Sequence, residues 1–366
     1  MTIERPVAFL FLGETLLIPH LWPIAEALAR RGVAVDAWVA TSMHEALIGG
    51  WARNLPIRVR RAPGFRQTAQ DARNPLLPAK MPMLLRLLPY LLRARAVVCA
   101  EQTSLWLARL FPLRVPFIKT AHGAGSMMAR DDPRRRAAAL TLVPSMREQE
   151  ALAARGIAAT VTGYVKAGFT QRTFATLPFA DDRPVVLYAP HWQRHRSSWW
   201  DWGAETVRRI ADDGRWNLIF APHQRLVEGA PEVKQVMEGL AGRANVHCDI
   251  DSFAMVDGSY TAAADIYLGD TSSQVVEFLA RPRPCVFLNS WEPAWRDDPS
   301  YAIWTGGEVV EQKENVLAAL ARADAQHSRF AVAQARLAAD MLGNTAGAPE
   351  RAAGEIVDFL SRSGRG

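Results

Sequence analysis

The sequence predicts an α/β protein with two doubly wound domains. Short apolar runs alternate with helical patterns along both halves of the chain, which is typical of buried parallel strands covered by helices. A stretch rich in Pro and Asp at 176–184 interrupts this alternation and reads as a linker. The length of 366 residues also suits two domains of ordinary size.

The first half predicts strands and helices in regular alternation. Gly32 and Gly156 end two of the helices, because glycine readily adopts the left-handed conformation that follows a helix. The predicted strands are 7–12, 33–39, 96–99, 117–120 and 140–143, and the predicted helices are 21–31, 104–111 and 146–155.

A second series of buried strands begins after the linker. An Ala-rich helical segment follows it at 316–360. The strands are predicted at 185–188, 216–221, 244–248, 264–268 and 285–288. The predicted domains are therefore 1–175 and 176–345, with a C-terminal helix and tail at 346–366.

The composition is globular and argues against several classes of protein. Hydrophobic residues make up 49% and charged residues 22% of the chain. The net charge of +6 suits anionic partners, but dispersed arginines without a nucleic-acid module argue against nucleic acid. Three widely spaced cysteines argue against a disulfide framework and a zinc site, and favour the cytoplasm. The sequence contains neither a GxGxxG nor a P-loop motif, which argues against a nicotinamide-dependent dehydrogenase and against an ATPase.

Membrane contact is predicted to be peripheral at most. The N-terminal apolar run is short and has an acid beside its arginine, so we interpret it as a first strand rather than a signal peptide. No stretch reaches the roughly 18 apolar residues of a membrane span. The leucine-rich segment 80–95 is flanked by cations and predicts either contact with the inner face of a membrane or a buried helix kinked at Pro89.

The most informative stretch is a strand, a polar turn and a helix at 264–279. Free backbone N–H groups at the start of such a helix suit a phosphate or diphosphate, although the same polar residues also serve as ordinary helix caps. The residues of this turn that we expect to bind a donor are Asp270, Thr271, Ser272 and Ser273.

Three further polar sites follow predicted strands, each with a histidine. Because parallel strands carry their ligands at their carboxyl ends, several histidines there point to one binding cleft. The imidazoles and the arginines that accompany them would suit a nucleoside diphosphate. These residues are His122, His191 with Arg194 and Arg196, and His223 with Arg225.

The motifs in this order resemble the CDP-glycerol glycerophosphotransferases, the primases and polymerases of teichoic acid. The resemblance covers about 117–310 and rests on 119–126, the GYVK turn at 163–166, LYAPHW, APHQR and the block 265–288. The sequence departs from the family pattern at Ala121, Val165, Gln224 and Thr271. The resemblance implies a GT-B-type fold, in which two Rossmann-like domains face a cleft, with the acceptor on the first domain and the nucleotide donor on the second.

The resemblance also implies a reaction. A hydroxyl of a cell-envelope glycan or lipid-linked acceptor would attack the polyol phosphate of a CDP-polyol, and CMP would leave. It assigns His122 as general base and His223 to the transferring phosphoryl group, with the remaining polar residues on the donor. Neither a cofactor nor a metal is required, and Asp249-Ile250-Asp251 is interpreted as a loop and cap.

Two other hypotheses stay open at this point. The same fold would serve a nucleotide-sugar glycosyltransferase or a UDP-GlcNAc 2-epimerase-like enzyme, although the carboxylate cluster that an epimerase needs is missing beyond Glu277. A non-catalytic protein that binds nucleotides or phosphoglycans is the second. The sequence specifies neither the polyol nor the acceptor, neither the number of units added nor the oligomeric state.

Overall fold

The computed structural model describes residues 5–67, 76–121, 123–124, 132–170 and 177–364. The chain divides into two compact units. Unit 1 consists of Met1–Phe169 with Asp340–Gly366, and unit 2 consists of Thr170–Ala339. The C-terminal segment thus returns to the unit that contains the N-terminus.

Thirteen strands and fifteen α-helices are numbered in chain order over the described residues. The strands are β1 Val7–Phe11, β2 Val35–Thr41, β3 Ile57–Arg66, β4 Ala96–Cys99, β5 Phe117–Thr120, β6 Leu140–Val143, β7 Ala159–Val161, β8 Val185–Tyr188, β9 Asn217–Phe220, β10 Val246–Cys248, β11 Ile266–Gly269, β12 Cys285–Leu288 and β13 Glu308–Val310. The helices are α1 Ile18–Arg30, α2 Ser42–Ala52, α3 Lys80–Leu91, α4 Trp106–Leu110, α5 Met146–Ala153, α6 Ala167–Thr170, α7 Ala204–Asp213, α8 Gln224–Gly229, α9 Glu232–Leu240, α10 Ala254–Asp257, α11 Ser259–Ala263, α12 Ser273–Phe278, α13 Val316–Gln326, α14 Ala331–Leu342 and α15 Ala348–Arg362.

Unit 1 is built on a parallel sheet of seven strands in the order β3-β2-β1-β4-β5-β6-β7. The central strand β1 is buried along its whole length and pairs Val7 with Val35 on one side and with Ala96 on the other. Helix α3 covers this sheet with a buried face that includes Leu84, Leu87 and Leu91. Helix α15 packs against α1.

Unit 2 is built on a parallel sheet of six strands in the order β10-β9-β8-β11-β12-β13. Stacked aromatic rings fill its core, with ring centroids 5.8 Å apart for Tyr188 and Phe220 and 5.4 Å apart for Trp199 and Phe220. A single π-helical turn, Trp199–Gly203, leads into α7.

The two sheets follow the same rule of strand order. In each, the first strand is third in the order and the fourth strand pairs with its other side, so the connections reverse direction between β1 and β4 and between β8 and β11. This is the doubly wound α/β arrangement that the sequence predicts. Ligands of such sheets bind beyond the carboxyl ends of the strands at the point of reversal.

The predicted central strands are confirmed, but three outer strands were not predicted. These are β3, which is the edge strand next to β2, and the edge strands β7 and β13. None of them is buried along its whole length, so they lack the continuous apolar run by which the buried strands were recognised. Among the helices of the described residues, none has the length and apolar character needed to cross a membrane.

Candidate functional site

The candidate site lies at the carboxyl edge of the unit 2 sheet, where its strand order reverses. His191 follows β8, His223 follows β9 and Asp270 follows β11. Because β8 pairs in parallel with both β9 and β11, these three residues leave the sheet at the same edge. The fold therefore brings together three polar segments that lie 32 residues (223 − 191) and 47 residues (270 − 223) apart in the sequence.

Asp270 anchors the loop that follows β8. Its side chain is buried, with Oδ2 accepting a hydrogen bond from the His191 backbone N–H at 2.9 Å and Oδ1 accepting one from the Ser198 N–H at 2.9 Å. Burial raises the pKa of Asp270 to about 7, against the lowering effect of these hydrogen bonds. The carboxylate is thus engaged by the protein backbone and fixes the position of His191.

The ring nitrogens of the two histidines are fixed by the backbone as well. His191 Nδ1 accepts from the Gln193 N–H, and His223 Nδ1 accepts from the Arg225 N–H, each at 3.1 Å. A neutral imidazole that accepts at Nδ1 carries its proton on Nε2. Both side chains are therefore hydrogen-bond donors at Nε2.

Both imidazoles are neutral at pH 7. Burial is the main cause and lowers the pKa of His191 and of His223 to about 4. Neighbouring groups add to this: for His191 these are the His223 ring, which disfavours a second charge beside it, and then Arg196, and for His223 the neighbour is Arg225. The two rings thus offer N–H donors inside a region of positive potential.

Trp192 lies next to both imidazoles. Its ring centroid is 5.9 Å from that of His191 in a stacked arrangement and 6.3 Å from that of His223 in a tilted one. The Arg225 guanidinium lies over the Trp192 ring, 5.1 Å from its centroid. Trp192 therefore packs against both donors at the sheet edge.

The hydroxyl residues after β11 differ in their surroundings. Thr271 is buried, and its Oγ1 donates to the Ser300 carbonyl at 3.2 Å. Ser272 is half-buried, caps no N–H of α12 with its side chain, and forms a long hydrogen bond of 3.4 Å with the Tyr267 hydroxyl. The side chain of Ser273 lies outside the described residues. Among the hydroxyls that are described here, Ser272 is the best placed to bind a ligand.

The arginines of the loop after β8 lie in different environments. Arg196 is half-buried, and its charge contributes to the lowered pKa of His191. Arg194 is exposed, and its guanidinium lies over the Trp200 ring, 5.0 Å from the centroid. Arg196 thus belongs to the electrostatic environment of the imidazoles, whereas Arg194 is engaged at the surface.

The acidic motif at Asp249 forms a loop cap. Asp249 Oδ1 accepts from the N–H groups of Asp251 and Ser252, each at 2.8 Å, and Oδ2 accepts from the Tyr260 hydroxyl at 2.5 Å. The described part of the chain contains no group of three His, Cys, Asp or Glu side chains placed to hold a metal ion.

One predicted residue lies outside the described part of the chain, and one residue of the observed site was not predicted. His122, predicted as the general base, lies outside the described residues. Ser198 was not predicted, although it donates its N–H to Asp270 and its hydroxyl lies 2.9 Å from that of Tyr188. The pairing of Ser198 with Asp270 spans 72 residues, and no local pattern in the sequence marks it.

Comparisons with known proteins identify structures with a similar fold. No family model and no curated protein matches the sequence. The chain is similar in structure to the wall teichoic acid polymerase TagF, with a TM-score of 0.66 and 12% identity over 99% of this chain and 90% of that one. It is also similar to a putative UDP-N-acetylglucosamine 2-epimerase from Listeria monocytogenes, with a TM-score of 0.65 and 15% identity over 99% and 98% of the two chains.

A third structure agrees with these two. The UDP-GlcNAc 2-epimerase from Methanocaldococcus jannaschii gives a TM-score of 0.63 and 14% identity over 98% of this chain and 100% of that one. At such identities the likeness concerns the fold, because one fold supports many activities. Together with the two doubly wound parallel sheets, it establishes that this chain has a GT-B-type fold of two Rossmann-like units.

Proposed function

We propose that the protein transfers glycerol phosphate, or a related polyol phosphate, from a CDP-activated donor to a hydroxyl of a cell-envelope glycan or lipid-linked acceptor. The observation that carries this proposal is the pair of Nε2–H donors of His191 and His223 at the sheet edge. Arg196 and Arg225 supply positive charge beside them. Neutral donors near fixed cations suit the oxygens of a diphosphate.

The reaction is a direct displacement at phosphorus. The acceptor oxygen forms a bond to the polyol-bearing phosphorus, the bond from that phosphorus to the CMP oxygen breaks, and the acceptor proton passes to a base. His223 and His191 would donate hydrogen bonds to phosphate oxygens as charge moves onto CMP. Because both rings already carry the proton on Nε2, they are suited to donation rather than to proton abstraction. We therefore keep the assignment of the base to His122.

Ser272, Arg194 and the neighbouring turn residues complete the proposed donor site. Ser272 would donate its hydroxyl to a phosphate oxygen, and the exposed Arg194 would attract the donor over a longer distance. Asp270 would act through the loop that it holds, by keeping the His191 backbone in place. Thr271 would support the same turn through Ser300.

A nucleotide-sugar enzyme is the second candidate. The proteins named UDP-GlcNAc 2-epimerases share this fold, and the imidazole pair would bind a uridine diphosphate as well as a cytidine diphosphate. Calorimetric titration of the full chain with CDP-glycerol, CDP-ribitol, UDP-GlcNAc and CMP separates the candidates. Selective binding of cytidine ligands supports the proposal, preference for UDP-GlcNAc favours the second candidate, and CDP-glycerol binding without CMP release under any acceptor favours a non-catalytic protein.

We also propose that helix α3 contacts an anionic membrane surface. One face of the helix is buried, whereas Leu85, Arg86 and Tyr90 are exposed, and exposed Leu92 and Arg93 follow its last residue. Exposed apolar side chains among arginines are typical of interfacial helices. Sedimentation with vesicles that contain phosphatidylglycerol should carry the protein down. The double variant Leu85→Ser with Tyr90→Ser should stay in the supernatant, and equal sedimentation of both proteins would rule out this contact.

A further inference from the structure

The segment after β12 borders the candidate site of unit 2. Residues 289–307 connect the carboxyl end of β12 with β13. Because β12 pairs in parallel with β11, this segment leaves the sheet at the same edge as Asp270. Its side chains are not yet part of the proposed donor site, although they lie at the edge where such sheets bind their ligands.

Two hydrogen bonds join this segment to the donor site. Near its start, the Trp291 Nε1–H donates to the Ser197 carbonyl at 2.9 Å, in the loop after β8. Near its end, the Ser300 carbonyl accepts from the Thr271 hydroxyl at 3.2 Å, in the turn after β11. The segment is therefore held against both of the loops that carry the proposed donor ligands.

Asp298 offers an ionised carboxylate beside the second of these contacts. Its Oδ1 accepts the Ser300 N–H at 2.8 Å, and the residue is exposed to solvent. Hydrogen bonds from Ser300 hold the pKa of Asp298 below its usual value, and the charge of Arg196 lowers it further. A carboxylate has about four acceptor positions, so Asp298 can also accept hydrogen bonds from a ligand.

Tyr301 offers a hydroxyl close to this carboxylate. Its ring packs edge-on against that of Trp304, with centroids 4.8 Å apart. The hydroxyl makes no hydrogen bond to any residue that the structure describes and is not one of their enclosed polar atoms, so a ligand can reach it. Burial of the ring raises the pKa of Tyr301, which keeps the phenol protonated at pH 7. The charges of Arg196, Asp298 and Asp270 also act on this phenol, so it lies in the electrostatic environment of the donor site.

Trp291 adds an apolar face to the same segment. The side chain is 42% exposed, although its Nε1–H is held by the Ser197 carbonyl. An aromatic ring that is fixed in this way provides contact area at a low cost in conformational entropy. Its exposed face is suited to packing against the C–H groups of a ligand.

We infer that the segment 289–307 binds the polyol of the donor. Asp298 accepts hydrogen bonds from hydroxyls of the polyol, Tyr301 donates one to a hydroxyl oxygen, and Trp291 covers the C–H groups. A carboxylate repels a phosphate, so Asp298 favours a neutral, polyhydroxylated group over the diphosphate that faces the two imidazoles. The identification of this group as a polyol rests on the proposed function, because a nucleotide sugar would place its sugar ring here.

Calorimetric titration of the full chain with CDP-glycerol and with CDP isolates the contribution of the polyol, because CDP lacks only the glycerol. Tyr301→Phe keeps the ring against Trp304 and removes the hydroxyl, and Asp298→Asn keeps an oxygen for the Ser300 N–H and removes the charge. Each should weaken CDP-glycerol by about 2- to 12-fold, the size of one neutral hydrogen bond, and neither should weaken CDP. Trp291→Ala should likewise weaken CDP-glycerol more than CDP.

Asp297→Asn is the matched control. It removes the same charge one residue away, from an exposed side chain, and should weaken neither ligand. Circular dichroism melting establishes that each variant is folded. Should Asp298→Asn fail to fold, Tyr301→Phe still decides.

The inference is wrong when Tyr301→Phe and Asp298→Asn weaken CDP-glycerol and CDP equally, or when neither weakens CDP-glycerol. A wild-type chain that binds neither cytidine ligand would instead contradict the proposed function. The same variants are then titrated with UDP-GlcNAc and UDP. A loss for UDP-GlcNAc alone would support these residues as the site of a polyhydroxylated group, whereas equal losses, no loss or no binding would overturn the inference as well.

Discussion

Replacing His223 by asparagine or by glutamine separates the two functions of its ring. In the wild-type protein Nδ1 accepts the Arg225 N–H at the start of α8, and Nε2–H remains as a donor. The asparagine oxygen can accept that N–H in place of Nδ1, and asparagine is a good helix cap. It has no donor at the position of Nε2. Glutamine has an amide N–H near that position, but its longer side chain gives up the cap.

The expected loss in His223→Asn follows from one hydrogen bond to a charged phosphate. Such a bond contributes about 1.5–3 kcal/mol, which corresponds to a weakening of CDP-glycerol binding by about 10- to 150-fold. His223→Gln should retain most of the affinity but lower the melting temperature, because the start of α8 loses its cap. Isothermal titration calorimetry and circular dichroism melting measure the two effects. A donor role of Nε2–H is excluded when His223→Asn binds CDP-glycerol as tightly as the wild type, or when His223→Gln loses as much affinity as His223→Asn.

Three further predictions concern the pH dependence of binding and stability and the packing of Glu101. Without a ligand the pKa of His191 and of His223 is about 4, and a bound anion favours the charged ring. CDP-glycerol should therefore bind more tightly at pH 5 than at pH 7, with uptake of protons. The same affinity at both pH values would contradict this expectation. The pKa of Asp270 is about 7 in the folded protein and 3.8 in the unfolded chain. Its contribution to the free energy of unfolding should therefore fall by about 4 kcal/mol as the pH rises from about 4 to about 7. Asp270→Asn should remove this slope in urea unfolding, and an unchanged slope would assign it to other groups. Gly13→Ala should displace the Glu101 carboxylate from Lys80 and lower the melting temperature, whereas Gly49→Ala in α2 has open space around its Cβ and should not lower it; equal melting temperatures would contradict the close approach.

The fold could be predicted from the sequence because its central strands are buried on both faces. Strands such as β8 and β11 appear as apolar runs between helices, and the residues that follow them are visible as polar motifs. His191 and His223 were expected at one sheet edge for this reason, and the strand order places them there. Only Ile57 and Ala62 are buried in the edge strand β3, which therefore lacks a continuous apolar run and was not recognised.

The individual contacts of the site could not be predicted in the same way. The sequence suggested Asp270 as a donor ligand, but its two carboxylate oxygens accept from the backbones of His191 and Ser198, which precede it by 79 and 72 residues. The pairing of Lys80 with Glu101 likewise depends on where α3 packs on the sheet. Such contacts are set by tertiary packing, and no spacing within one segment reveals them.

Calorimetric titration of the full chain with CDP-glycerol and UDP-GlcNAc under the same conditions tests the proposed donor most directly. We expect CDP-glycerol to bind and His223→Asn to weaken that binding by at least about tenfold, the size of one charged hydrogen bond. Tighter binding of UDP-GlcNAc than of CDP-glycerol, or no binding of either, would contradict it.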